Sequence, residues 1–345
     1  MSAHPDHPPR IAVDAMGGDK APEEVVAGAL QAHSEGLYIL LAGPEERLDK
    51  LLADAGASAG EGLEIVDAQE VIEMDDPDPA RAVRSKRGSS ISIASRLVKQ
   101  GRADAVFSAG STGAAMAAAV LETGRIRGVA RPAIALVLPW PDSPTVLVDA
   151  GANADVRPEH LAGFALLGSI FATVRLGISR PRVGLLSVGE EPGKGNELAK
   201  AAFPLLQVAD VEFIGNVEGR DITTDRVDVV VTDGFTGNVV LKVLEGFGAF
   251  LFGELMKIFT ADDEAKAAAK VLMPGLLELS TTLSPESHGG ANLLGVKGVC
   301  IIGHGSSSAD AVASALRIAA QTVDGGLVER IAKRLPRGND SRQAT

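Results

Sequence analysis

The feature that most limits how this chain can fold is a rhythm of short apolar runs, each followed by glycine and small polar residues. The runs fall at 11–14, 38–42, 63–66, 103–107, 134–138, 145–148, 182–188, 211–214, 227–231 and 299–302. Runs this short, without polar alternation, read as strands buried on both faces. The Ala- and Leu-rich amphipathic stretches between them supply the helices that cover such a sheet, so the expected fold is α/β with parallel strands and crossover helices. At 345 residues and 46% hydrophobic, the chain can bury one extended core as a single large domain or two closely packed ones.

One segment breaks the rhythm. Residues 239–283 read as two consecutive helices, with an acidic turn near 261–264 and an interruption at Met273-Pro274-Gly275. Its apolar residues, among them Phe247, Phe250, Leu251, Phe259, Leu272 and Leu277, exceed what one core-facing stripe requires. A dimer-forming helix pair and a tip that enters the lipid interface both fit this pattern. Residues 1–9 and 336–345 are polar and are expected to be flexible tails.

Composition removes several functions. Cys300 is the sole cysteine and lies in an apolar run, so it reads as a buried, inert strand residue in a chain without intramolecular disulfides, suited to a reducing compartment. No signal peptide and no uninterrupted apolar span is seen, and a cytoplasmic location is expected. A net charge of -12 disfavours nucleic acid, and any acidic partner needs a local basic patch. Two such clusters exist, Arg81, Arg84, Lys86 and Arg87, and Arg125, Arg127 and Arg131, although either also reads as an ordinary solvated helix face.

In open parallel sheets, ligands gather beyond the carboxyl ends of the strands. Those positions here hold Asp14, Gly17, Gly18 and Asp19 after the first run, Ser111, Thr112 and Gly113 after the fourth, and Asn153 after the sixth. Further along come Lys194 and Asn196, then Asn216, then Asp233, Thr236, Gly237 and Asn238, and finally His304 and Ser306. Amides, hydroxyls and helix starts suit a phosphate or a developing oxyanion. A tight strand-to-helix turn also needs glycine for steric reasons alone, so the weight lies in the recurrence. CxxC pairs, HExxH, GxSxG and GxxxxGK[ST] are all missing, which argues against zinc hydrolysis, a serine nucleophile and a nucleotide P-loop. Asp14, Asp19 and Asp233 read as helix caps on separate loops, and neither metal nor cofactor is expected.

At these loops the sequence resembles the PlsX family of phosphate acyltransferases. The matching stretches are IAVDAMGGD at 11–19, RAVRSK at 81–86, KGNEL at 194–198, FIGNVEGRD at 213–221, VVVTDGFTGNVVLK at 229–242 and HGSS at 304–307. The resemblance implies an α/β/α sandwich like that of isocitrate and isopropylmalate dehydrogenases and phosphotransacetylases. In it, residues 10–335 form one catalytic unit with a cleft between two lobes, and residues 239–283 form a projecting hairpin. It also implies transfer of a fatty acyl group from acyl carrier protein to inorganic phosphate, giving acyl phosphate for phospholipid synthesis. Implied partners are the carrier, phosphate and a second copy of the chain, with peripheral membrane contact through the hairpin and a downstream glycerol-phosphate acyltransferase as a further contact. Ser111, Ala150 and His288 depart from the family pattern, where asparagine, valine and tyrosine are usual.

The mechanism expected from this resemblance has phosphate attacking the thioester carbonyl directly. It sits near Lys194 and the helix starts after Gly18 and Gly113. Lys194 holds the dianion, while Asn238, Asn216 and Asn196 donate to the phosphate or the carbonyl oxygen. Arg81, Arg84, Lys86 and Arg87 would dock the carrier. His304 either protonates the leaving thiolate or caps the last helix. A dehydrogenase of the same fold, a membrane-bound regulator and a coenzyme A-dependent phosphotransacetylase are the rival readings.

Overall fold

The structure, a computed structural model, describes residues 8–283 and 290–335. His288 and most of the two expected tails lie outside the described residues. In the first half of the chain, β1 (Arg10–Asp14), β2 (Tyr38–Gly43), β3 (Leu63–Asp67) and β4 (Ala105–Ser108) alternate with α1 (Glu23–Ser34), α2 (Glu45–Asp54), α3 (Pro79–Ser85), α4 (Ser90–Lys99) and α5 (Thr112–Ala118). A π-helical turn, Ala119–Thr123, continues α5 toward β5 (Ala133–Leu138) and β6 (Thr145–Val148).

The second half begins with α6 (Pro158–Leu176), β7 (Arg182–Leu186), α7 (Glu197–Gln207), β8 (Glu212–Val217) and β9 (Val229–Val231). After these come α8 (Gly234–Phe259), α9 (Asp263–Leu283), β10 (Ala291–Leu294), β11 (Val299–Ile302), α10 (Ala309–Asp324) and α11 (Leu327–Arg334).

All eleven strands join one sheet in the order β3-β2-β1-β4-β11-β10-β5-β6-β9-β7-β8. The expectation of parallel strands throughout is corrected at its centre. β10 runs antiparallel to both β11 and β5, and β5 runs antiparallel to β6. A buried apolar run carries no mark of its direction, which is why the sequence pattern missed this reversal. Its consequence is large: β1, β4 and β11 deliver their carboxyl ends to one rim of the sheet, and β6, β7, β8 and β9 deliver theirs to the other.

Strand residues divide between the faces with the two-residue period of a pleat. Ile11 and Val13 pack with Val25, Val26 and Leu316 of α1 and α10, while Ala12 faces the cluster of Ile91, Ala94 and Leu97 from α4. Phe164, Phe171 and Ile170 of α6 cover Val146, Val148, Val229 and Val231 in the second half. Burying each such side chain contributes about 1.5–3 kcal/mol. Gly168 lets α6 approach closely, since a Cβ there would lie 2.8 Å from methyls of both Val148 and Val229. The helix then ends on Gly177 in the left-handed region, φ 71°.

α8 starts at Gly234, where Asp233 caps it, and buries only Gly234 and Gly237 fully. Val240 and Leu244 still pack against the core, and beyond them the helix leaves it, with Phe247, Phe250 and Ile258 each at least 60% exposed. α9 packs back along α8 and passes through Pro274 unbroken, so the interruption expected at Met273-Pro274-Gly275 does not occur. Pro274 forgoes one N–H donor inside the helix, and the turns on either side hold the helix together.

Candidate functional site

On the first rim, Asp14 closes β1 and is 3% exposed. Ser108 Oγ, at the end of β4, donates to Asp14 Oδ2 at 2.6 Å and accepts the Gly110 N–H at 3.0 Å. This relay ties the Gly17 loop to the Gly110 loop. Gly17 leaves no room for a side chain, because a Cβ would lie 2.4–2.8 Å from Asp14, Gly110 and Ser108. Asp14 Oδ1 finds no partner among the described residues. It borders a cavity of about 10 Å³ lined by Met16, Ser90, Ser108, Gly110 and Ser111, room for one water molecule. Burial pushes the Asp14 carboxyl above its usual range, against the Ser108 hydroxyl that pulls it down.

Asp14 therefore does not cap a helix. Asp19 donates its N–H to the Gly305 carbonyl at 2.8 Å, joining β1's loop to β11's. His304 Nδ1 accepts the Ser306 N–H and lies 2.8 Å from Ser306 Oγ. The capping expected of His304 is performed by Ser308, whose hydroxyl accepts from Ala311, while Glu24 accepts the Ala309 N–H at 2.6 Å. These two side chains occupy the start of α10. Thr112 and Gly113 are exposed, Ser111 half-buried, and Gly113 faces Pro79 of α3. On that helix Arg81 and Arg84 are exposed, as is Arg87 just beyond it, while Lys86 Nζ donates to the Val71 carbonyl at 2.8 Å.

The second rim gathers the remaining candidates. Asp149, passed over in the sequence, organises it. Its two oxygens accept N–H bonds from Ile134, Gly151, Ala152 and Asn153 and a fifth from the Asn153 side chain, all at 2.8–3.1 Å. Burial pushes this carboxyl up and the donors pull it back. Asn153 gives its other amide hydrogen to Pro132 and faces Arg131 Nη1 at 3.5 Å, so its amide is spent on holding the loop. Asp233 accepts from both the N–H and the hydroxyl of Thr236 at 2.8 Å. Gly237 abuts the Asp149 carbonyl, and the side chain of exposed Asn238 lies over Gly151 with no hydrogen bond to the described residues.

Beside them, Asn196 caps α7 through Ala199 at 2.8 Å. Lys194 is exposed, and its ammonium has no acid partner among the described residues. Gly195 takes φ 104°, and a Cβ there would lie 2.8 Å from Ser187 Oγ. Asn216, 2% exposed, donates to the Glu191 carbonyl at 2.8 Å, leaving its Oδ1 and Ser187 Oγ unpartnered beneath the Lys194 turn. Thus Asp14, Gly17, Gly18, Asp19, Ser111, Thr112, Gly113, His304 and Ser306 share one rim. Asn153, Lys194, Asn196, Asn216, Asp233, Thr236, Gly237 and Asn238 share the other. The α5 helix and its π-helical turn run between the two rims, and no hydrogen bond or ion pair among the described residues joins the groups directly.

Among the described residues no three His, Cys, Asp or Glu side chains cluster to hold a metal, and no helix is long and apolar enough to cross a membrane. The fold is that of the phosphotransacylase-like α/β proteins. A phosphotransacetylase from Streptococcus pyogenes superposes with a TM-score of 0.61 at 19% identity, covering 92% of this chain and 94% of its own. A 4-hydroxythreonine-4-phosphate dehydrogenase from Klebsiella pneumoniae gives 0.52 at 13% identity, covering 92% and 98%. The chain itself belongs to the fatty acid synthesis protein family, which it matches over residues 9–330. It is 50% identical over 330 residues to a phosphate acyltransferase of Desulfitobacterium hafniense, covering 95% of this chain and 98% of that one. A phosphate acyltransferase of Picosynechococcus is 46% identical over 326 residues, covering 93% and 89%.

Proposed function

We propose that this chain is an acyltransferase that moves a fatty acyl group from an acyl carrier protein thioester to inorganic phosphate, giving an acyl phosphate for phospholipid synthesis. Acyl transfer to phosphate is the activity in the names of relatives that are 50% identical over nearly the whole chain. The structural observation that carries the reading is Lys194. It is an exposed ammonium without an acid partner among the described residues, on a turn beside the start of α7 and on the same rim as the free amide of Asn238.

In this reading a phosphate oxygen attacks the thioester carbon while Lys194 offsets the charge that builds on the phosphate and carbonyl oxygens. The C–S bond then breaks. The proton carried by hydrogen phosphate passes to the departing thiolate, so phosphate and thioester leave as acyl phosphate and free thiol. No side-chain nucleophile is required. Asn238 supplies an amide donor, whereas the amides of Asn216 and Asn153 are committed to the protein, and Asn196 keeps only its NH2 group after capping α7. Asn216 and Asn153 act by shaping the rim, while the exposed Asn196 NH2 group remains free to donate. The tautomer of His304 is set by the Ser306 N–H, which leaves its Nε2 as a donor on the first rim.

The carrier is acidic in this proposal, and the exposed arginines of α3, packed against α5, are its dock. Arg131, in contact with Asn153 on the second rim, supports a second dock. Charge reversal at Arg84 or at Arg131 raises the carrier's KM and alters its salt dependence at whichever patch is used. Two copies of the chain are proposed to pair, and the apolar hairpin is proposed to rest on a membrane surface. The central test is phosphate-dependent release of thiol from an acyl carrier protein. Failure of the purified chain to release thiol when phosphate is supplied refutes the reading, and an unchanged phosphate KM in Lys194→Ala refutes the role given to Lys194.

A further inference from the structure

Lys194 sits on an otherwise exposed loop, and a lysine there needs something to hold it. Two anchors are visible. Lys194's own N–H and the Asn216 amide both donate to the Glu191 carbonyl, which fixes the turn from inside. From outside, the carboxylate of the preceding residue, Glu190, is gripped by the guanidinium of Arg226 through two hydrogen bonds of 2.7 and 2.9 Å. Arg226 is anchored in turn, because its Nη1 also reaches Asp221 Oδ2 at 3.2 Å. Asp221 is only 6% exposed and is fixed by the Glu218 N–H at 2.8 Å. Arg220 adds a weaker contact to Glu190 at 3.6 Å and a closer one to Glu218 at 3.0 Å.

Single exposed ion pairs contribute little, but a two-pronged arginine–carboxylate bond fixes an orientation as well as a distance. This one connects the loop after β7 to the segment between β8 and β9, the two strands flanking β7's end of the sheet. We infer that Arg226 is a positioning residue for Lys194, acting through Glu190 to hold the lysine turn in the geometry that receives phosphate. The inference rests on the proposed role of Lys194, but the loop's rigidity can be read independently of activity.

The test compares Arg226→Ala, Arg226→Lys, Glu190→Gln and the double variant Arg226→Ala/Glu190→Gln with the unaltered full-length protein. In steady-state assays with acyl carrier thioester, Arg226→Ala is expected to raise the phosphate KM roughly tenfold, with kcat at saturating phosphate and the carrier KM within about twofold. Arg226→Lys recovers part of the loss, since an ammonium cannot make the paired bonds. The double variant is no worse than either single change, the signature of a shared contact.

A second measurement needs no turnover: the rate of trypsin cleavage at the Lys194–Gly195 bond, followed by mass spectrometry, rises several-fold in Arg226→Ala and Glu190→Gln. Unchanged phosphate KM together with unchanged cleavage overturns the inference, as does full additivity in the double variant. If the unaltered protein shows no phosphate-dependent thiol release, the functional reading fails instead. The cleavage rates then decide the positioning alone, and equal rates overturn it.

Discussion

Asn216 and Lys194 share one acceptor: the Glu191 carbonyl oxygen takes a hydrogen bond from the Asn216 side chain at 2.8 Å and from the Lys194 backbone at 2.9 Å. A buried strand amide thus sets the turn that presents an exposed lysine. Asn216→Ala removes the donor and leaves the carbonyl half-satisfied, at a cost of about 1–3 kcal/mol. The expected result is a lower melting temperature together with a raised phosphate KM. A variant that melts lower with unchanged phosphate saturation would separate the amide's structural role from the lysine.

Asp14 gives a pH prediction with a definite sign. Its folded-state pKa is raised by burial, so between the ordinary carboxylate value and that raised value the folded chain holds a proton that the unfolded chain has released. Stability from this group therefore falls as pH rises through the window, and the full penalty applies above it. Asp14→Asn removes the penalty while keeping an acceptor for Ser108. Its melting temperature should match the unaltered protein near roughly pH 4 and exceed it increasingly as pH rises from there, until the raised value is passed. A constant difference across that range would show that Asp14 does not titrate there.

Two glycines hold helices at backbone contact, and their alanine variants should lose stability without any change in charge. A Cβ at Gly28 would overlap the Ala309 carbonyl and Val312, forcing α1 away from α10. One at Gly237 would overlap the Asp149 carbonyl, displacing the start of α8 from the loop that carries Asn153. Each change should cost about 1–3 kcal/mol or more by overpacking, read as a shift in the denaturant midpoint. Gly237→Ala should also impair turnover at permissive temperature, because it displaces the start of α8, which carries Asn238 beside the Asp149 loop.

Much of this architecture was legible in the sequence. All ten apolar runs became strands, and the hairpin appeared as an excess of apolar residues over one stripe. β10 was not legible, since ANLL is four residues without periodicity, and neither was the antiparallel turn from β5 to β6, which reverses the second half of the sheet. Every candidate loop was correctly a strand-end loop, but which rim each one reaches depends on that reversal. The side-chain roles were hidden for a different reason. An asparagine in a glycine-rich loop reads equally as a donor to a ligand or to the backbone, and only the Glu191 and Pro132 carbonyls show that Asn216 and Asn153 are already engaged. Asp149 looked like loop punctuation until five donors converged on it.

The chemistry of Cys300 reports on the packing of β11 and not on either rim. This residue lies on β11 between β4 and β10 and is 4% exposed, and burial pushes its thiol up to about 12. Only the thiolate attacks a thiol reagent, so the folded protein should be labelled far more slowly than the unfolded protein, through opening of the sheet. Cys300→Ala should leave phosphate-dependent thiol release intact and cost about 1 kcal/mol, the value of a small buried side chain in a packed layer. Rapid labelling of the folded protein with loss of activity would place Cys300 in a solvent-accessible position and contradict the pairing of β11 with β4.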